Sequence, residues 1–281
     1  MLRDLNRLPL ERRAQILGML TEGSSLRAAS RLADVSINTV TKLLVDVGAA
    51  CEQYQDKALR NLPCKRIQCD EIWSFCYAKA KNVPKPLRGV FGYGDMWTWT
   101  ALCADTKLVP TWAVGRRDAF TAQGFIRDLA DRLAHRVQLT TDGHKVYLEA
   151  VEGAFGADID YAMLVKLYEG DNAERSTEAR YSPVKCLGTR TVCVTGQPDP
   201  AYIFTSYAER ANLTMRMSMR RFTRLTNAFS KKVDNHKAAL ALYFMYYNFG
   251  RIHKTLRVTP AMEAGVNDHV WSLAEVAALA N

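Results

Sequence analysis

Hydrophobic positions recur at helical spacing over residues 9–48. Leu10, Ile16, Leu17 and Leu20 form one apolar stripe, Leu26, Ala29 and Leu32 a second, and Val40, Leu43 and Leu44 a third, so three short helices are predicted. Between the second and third stand Ala33, Asp34, Val35 and Ser36. Asp tolerates the left-handed turn conformation and Ser caps a following helix. This is the pattern of a helix-turn-helix, whose last helix, capped by Ser36, presents Asn38, Thr39 and Lys42 to a DNA major groove. An ordinary three-helix packing unit is the alternative. The polar stretch 52–60 reads as a linker, which puts a small all-α domain at 1–60.

From Lys65 the pattern changes from a period of three to four to the mixed β-branched and aromatic runs of strands. Strands are predicted at 66–77, 96–104 and 108–114, the first two separated by a Pro/Gly-rich turn from Val83 to Gly94. Phe125, Leu129 and Leu133 mark a helix over 121–135, followed by a strand at 136–141, a helix at 146–155 and a strand at 158–167. Residues 168–200 are polar and punctuated by Gly and Pro, which reads as an insertion outside the core. Ala208, Ala211, Met215, Ser218, Phe222, Leu225 and Phe229 then define one continuous helical face, and a last helix runs from His236 to Phe249.

Charge changes the picture at this point. The chain of 281 residues has 38 Lys and Arg against 29 Asp and Glu, a net +9. Residues 206–257 alone hold 11 of the basic residues and only two acids, Glu209 and Asp234, leaving 27 of each sign elsewhere. The excess is therefore one localised field, the footprint expected of a polyanion-binding surface. Arg220, Arg221, Arg224, Lys231 and Lys232 are the expected sequence-independent phosphate contacts; Asn212 and Arg216 are placed to orient Glu209 or to hold a phosphate, with a solvated or ion-paired surface group the equal alternative for such an Arg.

Three acids occupy comparable places in the predicted topology. Asp70 lies within the first strand, Asp142 ends the strand after the first long helix, and Glu209 opens the basic helix. In a ribonuclease H-like arrangement, a mixed five-stranded α/β sheet of three antiparallel and two parallel strands with flanking helices, these places meet at one edge. Carboxylates so gathered repel one another unless a divalent cation holds them, and all-oxygen donors suit magnesium or manganese. Two such ions can serve phosphodiester cleavage or joining. Duller readings exist: Asp142 makes an Asx turn with Gly143, and Glu209 is favoured by the helix dipole. Glu71 is expected on the opposite face from Asp70.

At these residues the chain resembles the bacterial insertion-sequence-one family of DDE transposases. The likeness lies in Asp70-Glu71-Ile72-Trp73-Ser74-Phe75, in Thr141-Asp142-Gly143 with Tyr147, and in Glu209-Arg210-Ala211-Asn212-Leu213-Thr214-Met215-Arg216 continuing through Arg221 to Lys231. It extends to Tyr247-Asn248, Arg251, His253 and Thr259-Pro260. The resemblance implies that Asp70, Asp142 and Glu209 are a catalytic metal-binding triad in a ribonuclease H-like domain at 61–281. It also implies that the substrate is the element's own terminal DNA, joined to target DNA, with a homodimer or higher oligomer on the duplex. Two departures stand out: 66 residues separate Asp142 from Glu209, more than in compact members, and no cysteine-rich zinc segment precedes the helices, so no zinc is expected.

The competing function is a sequence-specific DNA-binding regulator with an inactive ribonuclease H-like domain; a nuclease that only hydrolyses is a third. Seven cysteines, none in a CxxC pair, are expected as reduced core thiols. No run of apolar residues is long enough to span a bilayer and the first residues lack the stretch of a signal peptide, so a cytoplasmic, nucleoid-associated protein is expected.

Overall fold

The computed structural model describes residues 7–168, 186–223 and 227–281. Three helices come first, α1 (Leu10–Thr21), α2 (Leu26–Leu32) and α3 (Ile37–Ala58). Asp34 takes the left-handed conformation, with φ 46°, and the Ser36 side chain accepts a hydrogen bond from the Thr39 amide, so both turn residues act as their chemistry suggests. The expected linker is instead the end of α3. It stays helical because Cys51 and Gln55 face inward, and Gln55 Nε2 donates to the Ala241 carbonyl at 3.0 Å. Gly48 lets α3 approach another helix closely; a Cβ there would lie 2.5 Å from the Ala238 carbonyl oxygen.

The sheet follows: β1 (Arg66–Cys76), β2 (Gly94–Cys103), β3 (Trp112–Gly115), α4 (Ala119–Ala130), β4 (Gln138–Asp142), α5 (Val146–Phe155), β5 (Asp160–Tyr168) and β6 (Cys186–Thr195). Its order is β3-β2-β1-β4-β5-β6, with β1, β2 and β3 antiparallel, β4 and β5 parallel to β1, and β6 antiparallel to β5. The first five strands have the directions expected from the sequence. The sheet has six strands rather than five, because part of the segment read as an insertion pairs along β5. Periodicity could not reveal β6, whose side chains are exposed or half-exposed throughout and so carry no apolar stripe. Cys186 and Cys193 stand exposed on it, unlike the five buried cysteines.

Helix α6 (Ser206–Ser218) is shorter than its apolar stripe suggested. The backbone leaves the helical region at Met219 (φ −130°, ψ 105°) and makes a 3-10 turn at Arg220–Phe222. Helix α7 (Val233–Met245) passes into a π turn over Tyr246–Gly250, and α8 (Pro260–Glu263) and α9 (Leu273–Ala278) complete the chain. Helix α7 is buried along nearly its whole length. Its apolar residues, those of α3 and those of the sheet form one hydrophobic cluster, while α1 packs on α9. Among the described residues no helix is long and apolar enough to cross a membrane.

Candidate active site

Strand register sets the site. β1 and β4 pair as parallel neighbours through Gln68 and Thr140, and Asp70 and Asp142 each lie two residues further along the same side. The ladder between β1 and β4 ends at Gln68 and Thr140, so the two carboxylates stand where neighbouring strands part. Asp142 pairs with Leu164 of β5, and Lys166 follows two residues later. Helix α6 closes the site. Gln68, buried on β1, accepts hydrogen bonds through Oε1 from the Tyr207 and Ala208 amides, both at 3.0 Å, and so caps the start of α6 from the sheet.

Asp70, Asp142 and Glu209 consequently line one cavity of about 450 Å³, with Arg117, Gly143, His144, Leu164, Val165, Lys166 and Thr205. Asn212, buried one turn along α6 from Glu209, donates to Asp70 Oδ2 at 2.8 Å, and the Glu71 amide donates to Asp70 Oδ1 at 2.8 Å. Asn212 thus orients the first acid, not Glu209. Asp142 Oδ1 accepts from the His144 amide at 3.0 Å, so the Asx turn forms while the side chain still faces the cavity. Glu209 Oε1 accepts from Lys166 Nζ at 2.6 Å and Thr205 Oγ1 at 2.7 Å.

Glu71 belongs to the site although the sequence reading passed over it. Alternation assigns it to the face opposite Asp70, yet its carboxylate comes with Asp70 and Asp142 into a cluster whose nearest oxygens all lie within 4.8 Å of one another; Glu209, bonded to Lys166 and Thr205, is outside that cluster. Arg117 bridges Glu71 and Asp142 at 3.2 and 3.4 Å. Sequence patterning carries no sign of Arg117, since it lies on a loop and meets the acids only through folding; a buried acid adjacent to Asp70 was the available signal for Glu71. Gln68 was equally silent, although its place two residues before Asp70 puts both on one side of the strand.

The electrostatics follow from this crowding. Burial, with the neighbouring Asp142 and Glu209 charges, pushes the Asp70 carboxyl up to about 6. Burial, reinforced by Asp142, pushes Glu71 up to about 7 despite Arg117. Burial works in the same direction on Glu209, but the hydrogen bonds from Lys166 and Thr205 outweigh it and hold that carboxyl below its ordinary value. Burial and the Arg117 charge lower His144. Three residues at or beside the cavity also carry buried polar atoms without a protein partner, Gln68 Nε2, His144 Nε2 and Asn212 Oδ1, while the buried Tyr147 hydroxyl is left to the Glu71 carboxylate. Buried polar atoms are normally paired, so their concentration here marks a site built for something other than stability.

The other expected contacts scatter. Asn38 and Lys42 are exposed at the start of α3, with Lys42 ion-paired to Asp46. Ser36 and Thr39 are engaged in the helix cap. Arg216, Arg220, Lys231 and Lys232 are exposed. Arg221 is not a free phosphate contact: its Nη1 donates to Ser230 Oγ and the Asn235 carbonyl, both at 3.0 Å, and its guanidinium is partly buried. Arg224 lies outside the described residues. Arg220, Arg221 and Lys231 line a second cavity of about 810 Å³ with Arg27, Arg31 and Thr41, between the first helices and residues 219–221 and 227–231.

No family model and no curated protein matches the chain. Among solved structures it is weakly similar to the Mos1 strand transfer complex (TM-score 0.24, 14% identity, covering 57% of this chain and 60% of that one). A Mos1 transposase paired-end complex with left transposon end gives a TM-score of 0.21 at 13% identity, covering 54% of this chain and 59% of that one. A pre-cleavage Mos1 transpososome gives 0.23 at 11% identity, covering 86% and 80%. The chain spans about 60% of the length of the first two.

Proposed function

We propose that the protein is a DNA transposase of the insertion-sequence-one kind, with a ribonuclease H-like catalytic domain carrying an Asp70, Asp142, Glu209 triad. The observation that carries the reading is the meeting of these three acids, 139 residues apart in sequence from first to last, in one cavity beside Arg117 and Lys166. A structural role alone leaves this gathering of acids unexplained, since Asp70 and the adjoining Glu71 are harder to ionise for being there.

The donors fit a hard divalent cation. Asp70, Glu71 and Asp142 offer clustered oxygens. Magnesium or manganese, as one ion or two, would be held by Asp70, Asp142 and Glu209 with Glu71 adjacent. When bound, such ions supply activation of the attacking oxygen and stabilisation of the leaving oxygen at a phosphodiester. The protein's own residues do the rest. Asn212 fixes the orientation of Asp70, and Gln68 fixes the position of α6 and so of Glu209. Arg117 and Lys166 offset the acids and present cationic hydrogen-bond donors to an incoming phosphate. His144, its pKa lowered, remains a neutral imidazole beside Asp142 at neutral pH.

The three N-terminal helices are proposed as the element that recognises terminal DNA through Asn38, Thr39 and Lys42, on a chain that works as a dimer or larger assembly. Incubating the purified chain with magnesium, labelled DNA from either side of its gene and a target plasmid tests this. Joined products that vanish with Asp142→Asn, while DNA binding persists, are expected. Binding without cleavage by the unaltered chain would instead favour the regulator, and cleavage without joining the simple nuclease.

A further inference from the structure

The β1–β2 connection, residues 77–93, belongs to neither the acidic cavity nor the N-terminal helices. It contains four basic residues, Lys79, Lys81, Lys85 and Arg88, and no acid. All four are exposed, and among the described residues none of them forms an ion pair. Its apolar tip is exposed as well, Val90 by 47% and Phe91 by 44%. Four unneutralised like charges on one short connection that also exposes an aromatic ring are unfavourable in the isolated protein and need a partner to explain them.

The connection is also held in shape. Val83 is buried beneath it, and its carbonyl accepts from Arg88 Nε at 3.0 Å. Asp95 accepts from the Ala80 amide at 3.2 Å, Tyr77 and Tyr93 meet edge to face at 5.2 Å, and Gly89 and Gly92 take positive φ angles at the tip. Two links run outward. The Tyr77 amide donates to the Ser230 carbonyl at 2.8 Å, next to Lys231 and Lys232, and Lys237 Nζ lies over the Phe91 ring at 5.6 Å. Arg116 donates to the Gly89 carbonyl, and its neighbour Arg117 binds Glu71 and Asp142 in the cavity. Asp95, at the start of β2, is the carboxylate bonded to the connection.

We infer that the β1–β2 connection is a second DNA-binding surface, gripping the phosphate backbone of a duplex without reading its sequence and leading it toward the cavity by way of Arg116 and Arg117. A rigid, prefolded array of cations suits a polyanion of regular charge spacing, because little ordering entropy is lost when it binds. The inference rests on the proposed action on DNA and adds where that DNA is held.

Fluorescence anisotropy of the full chain with a labelled duplex of arbitrary sequence, over a range of salt, tests it. Substituting Lys79→Gln, Lys81→Gln, Lys85→Gln and Arg88→Gln together is expected to weaken binding at least tenfold near 0.1 M salt. The slope of log K against log salt should fall by about 3 to 4, since each lost phosphate contact removes about 0.9. Lys85→Gln alone should lower it by about 1 and decides the matter if the combined variant melts early. Unchanged affinity and slope in variants that melt like the parent, or no binding of duplex by the parent, would overturn the inference. If the strand-transfer assay fails while the slope still falls, the transposase reading is lost and this inference stands.

Discussion

Replacing Glu71 by Gln should make the protein more stable above neutral pH and leave it nearly unchanged in acid. The Glu71 side chain is only 1% exposed, and its carboxyl is pushed from an ordinary 4.5 to about 7 in the folded state. The folded protein therefore holds this proton more tightly than the unfolded chain. Its contribution is fully favourable below pH 4.5 and is lost as pH rises from there through about 7. At about 1.36 kcal/mol per pH unit, the cost of ionised Glu71 above that window is roughly 3 kcal/mol. Gln has the shape of the protonated acid and escapes the cost, but leaves Arg117 with one carboxylate instead of two. Arg117 is 38% exposed, so water recovers much of that loss and a gain of about 2 kcal/mol remains. Denaturant titration in chelator at about pH 8 and pH 4 measures it. Equal effects of Glu71→Gln at the two pH values, or destabilisation at pH 8, would refute the reasoning. Millimolar magnesium should then raise the stability of the parent at pH 8 by more than that of the variant, because the ion relieves the same repulsion.

Gln68→Leu removes the acceptor of two α6 amides and should cost about 1–3 kcal/mol of stability and lower cleavage activity, read by denaturant titration and by the strand-transfer assay. Asn212→Leu frees Asp70 Oδ2 and should reduce activity with DNA affinity intact, which separates positioning of the acid from phosphate binding. Gly48→Ala, whose added Cβ would meet Ala238 backbone at 2.5 Å, should destabilise by about 1–3 kcal/mol in a urea titration. Asp34→Gly should stabilise by a few tenths of a kcal/mol and Asp34→Val destabilise by about 1–2 kcal/mol, because φ is 46° there and a β-branched residue resists it.

Much of the fold was legible because local chemistry and tertiary burial agreed. Helix α5 was bounded as predicted from its apolar spacing, and the Asp34 turn and Ser36 cap were readable residue by residue. The misses have physical causes. Strand β6 shows no stripe because it is an exposed edge, and α3 continues through a polar stretch because Gln55 finds its partner on α7. The long apolar face beginning at Ala208 carries on past Met219, where the backbone turns away, so spacing alone could not mark the break. At the site, motif and strand position pointed to Asp70, Asp142 and Glu209, and the fold brings all three to one cavity. Glu71 was passed over because alternation, which puts it opposite Asp70, says nothing of how closely carboxylates approach where β1 and β4 part. Arg117, Lys166 and Gln68 were invisible for a common reason: each matters only through a partner distant in sequence.

The most direct test is anomalous diffraction from a crystal of the protein soaked in manganese. A peak in the cavity within coordination distance of the Asp70 and Asp142 carboxylates, lost in Asp142→Asn crystals, is predicted. An empty cavity at saturating manganese, with Glu209 still bound to Lys166, would contradict a divalent-ion site there.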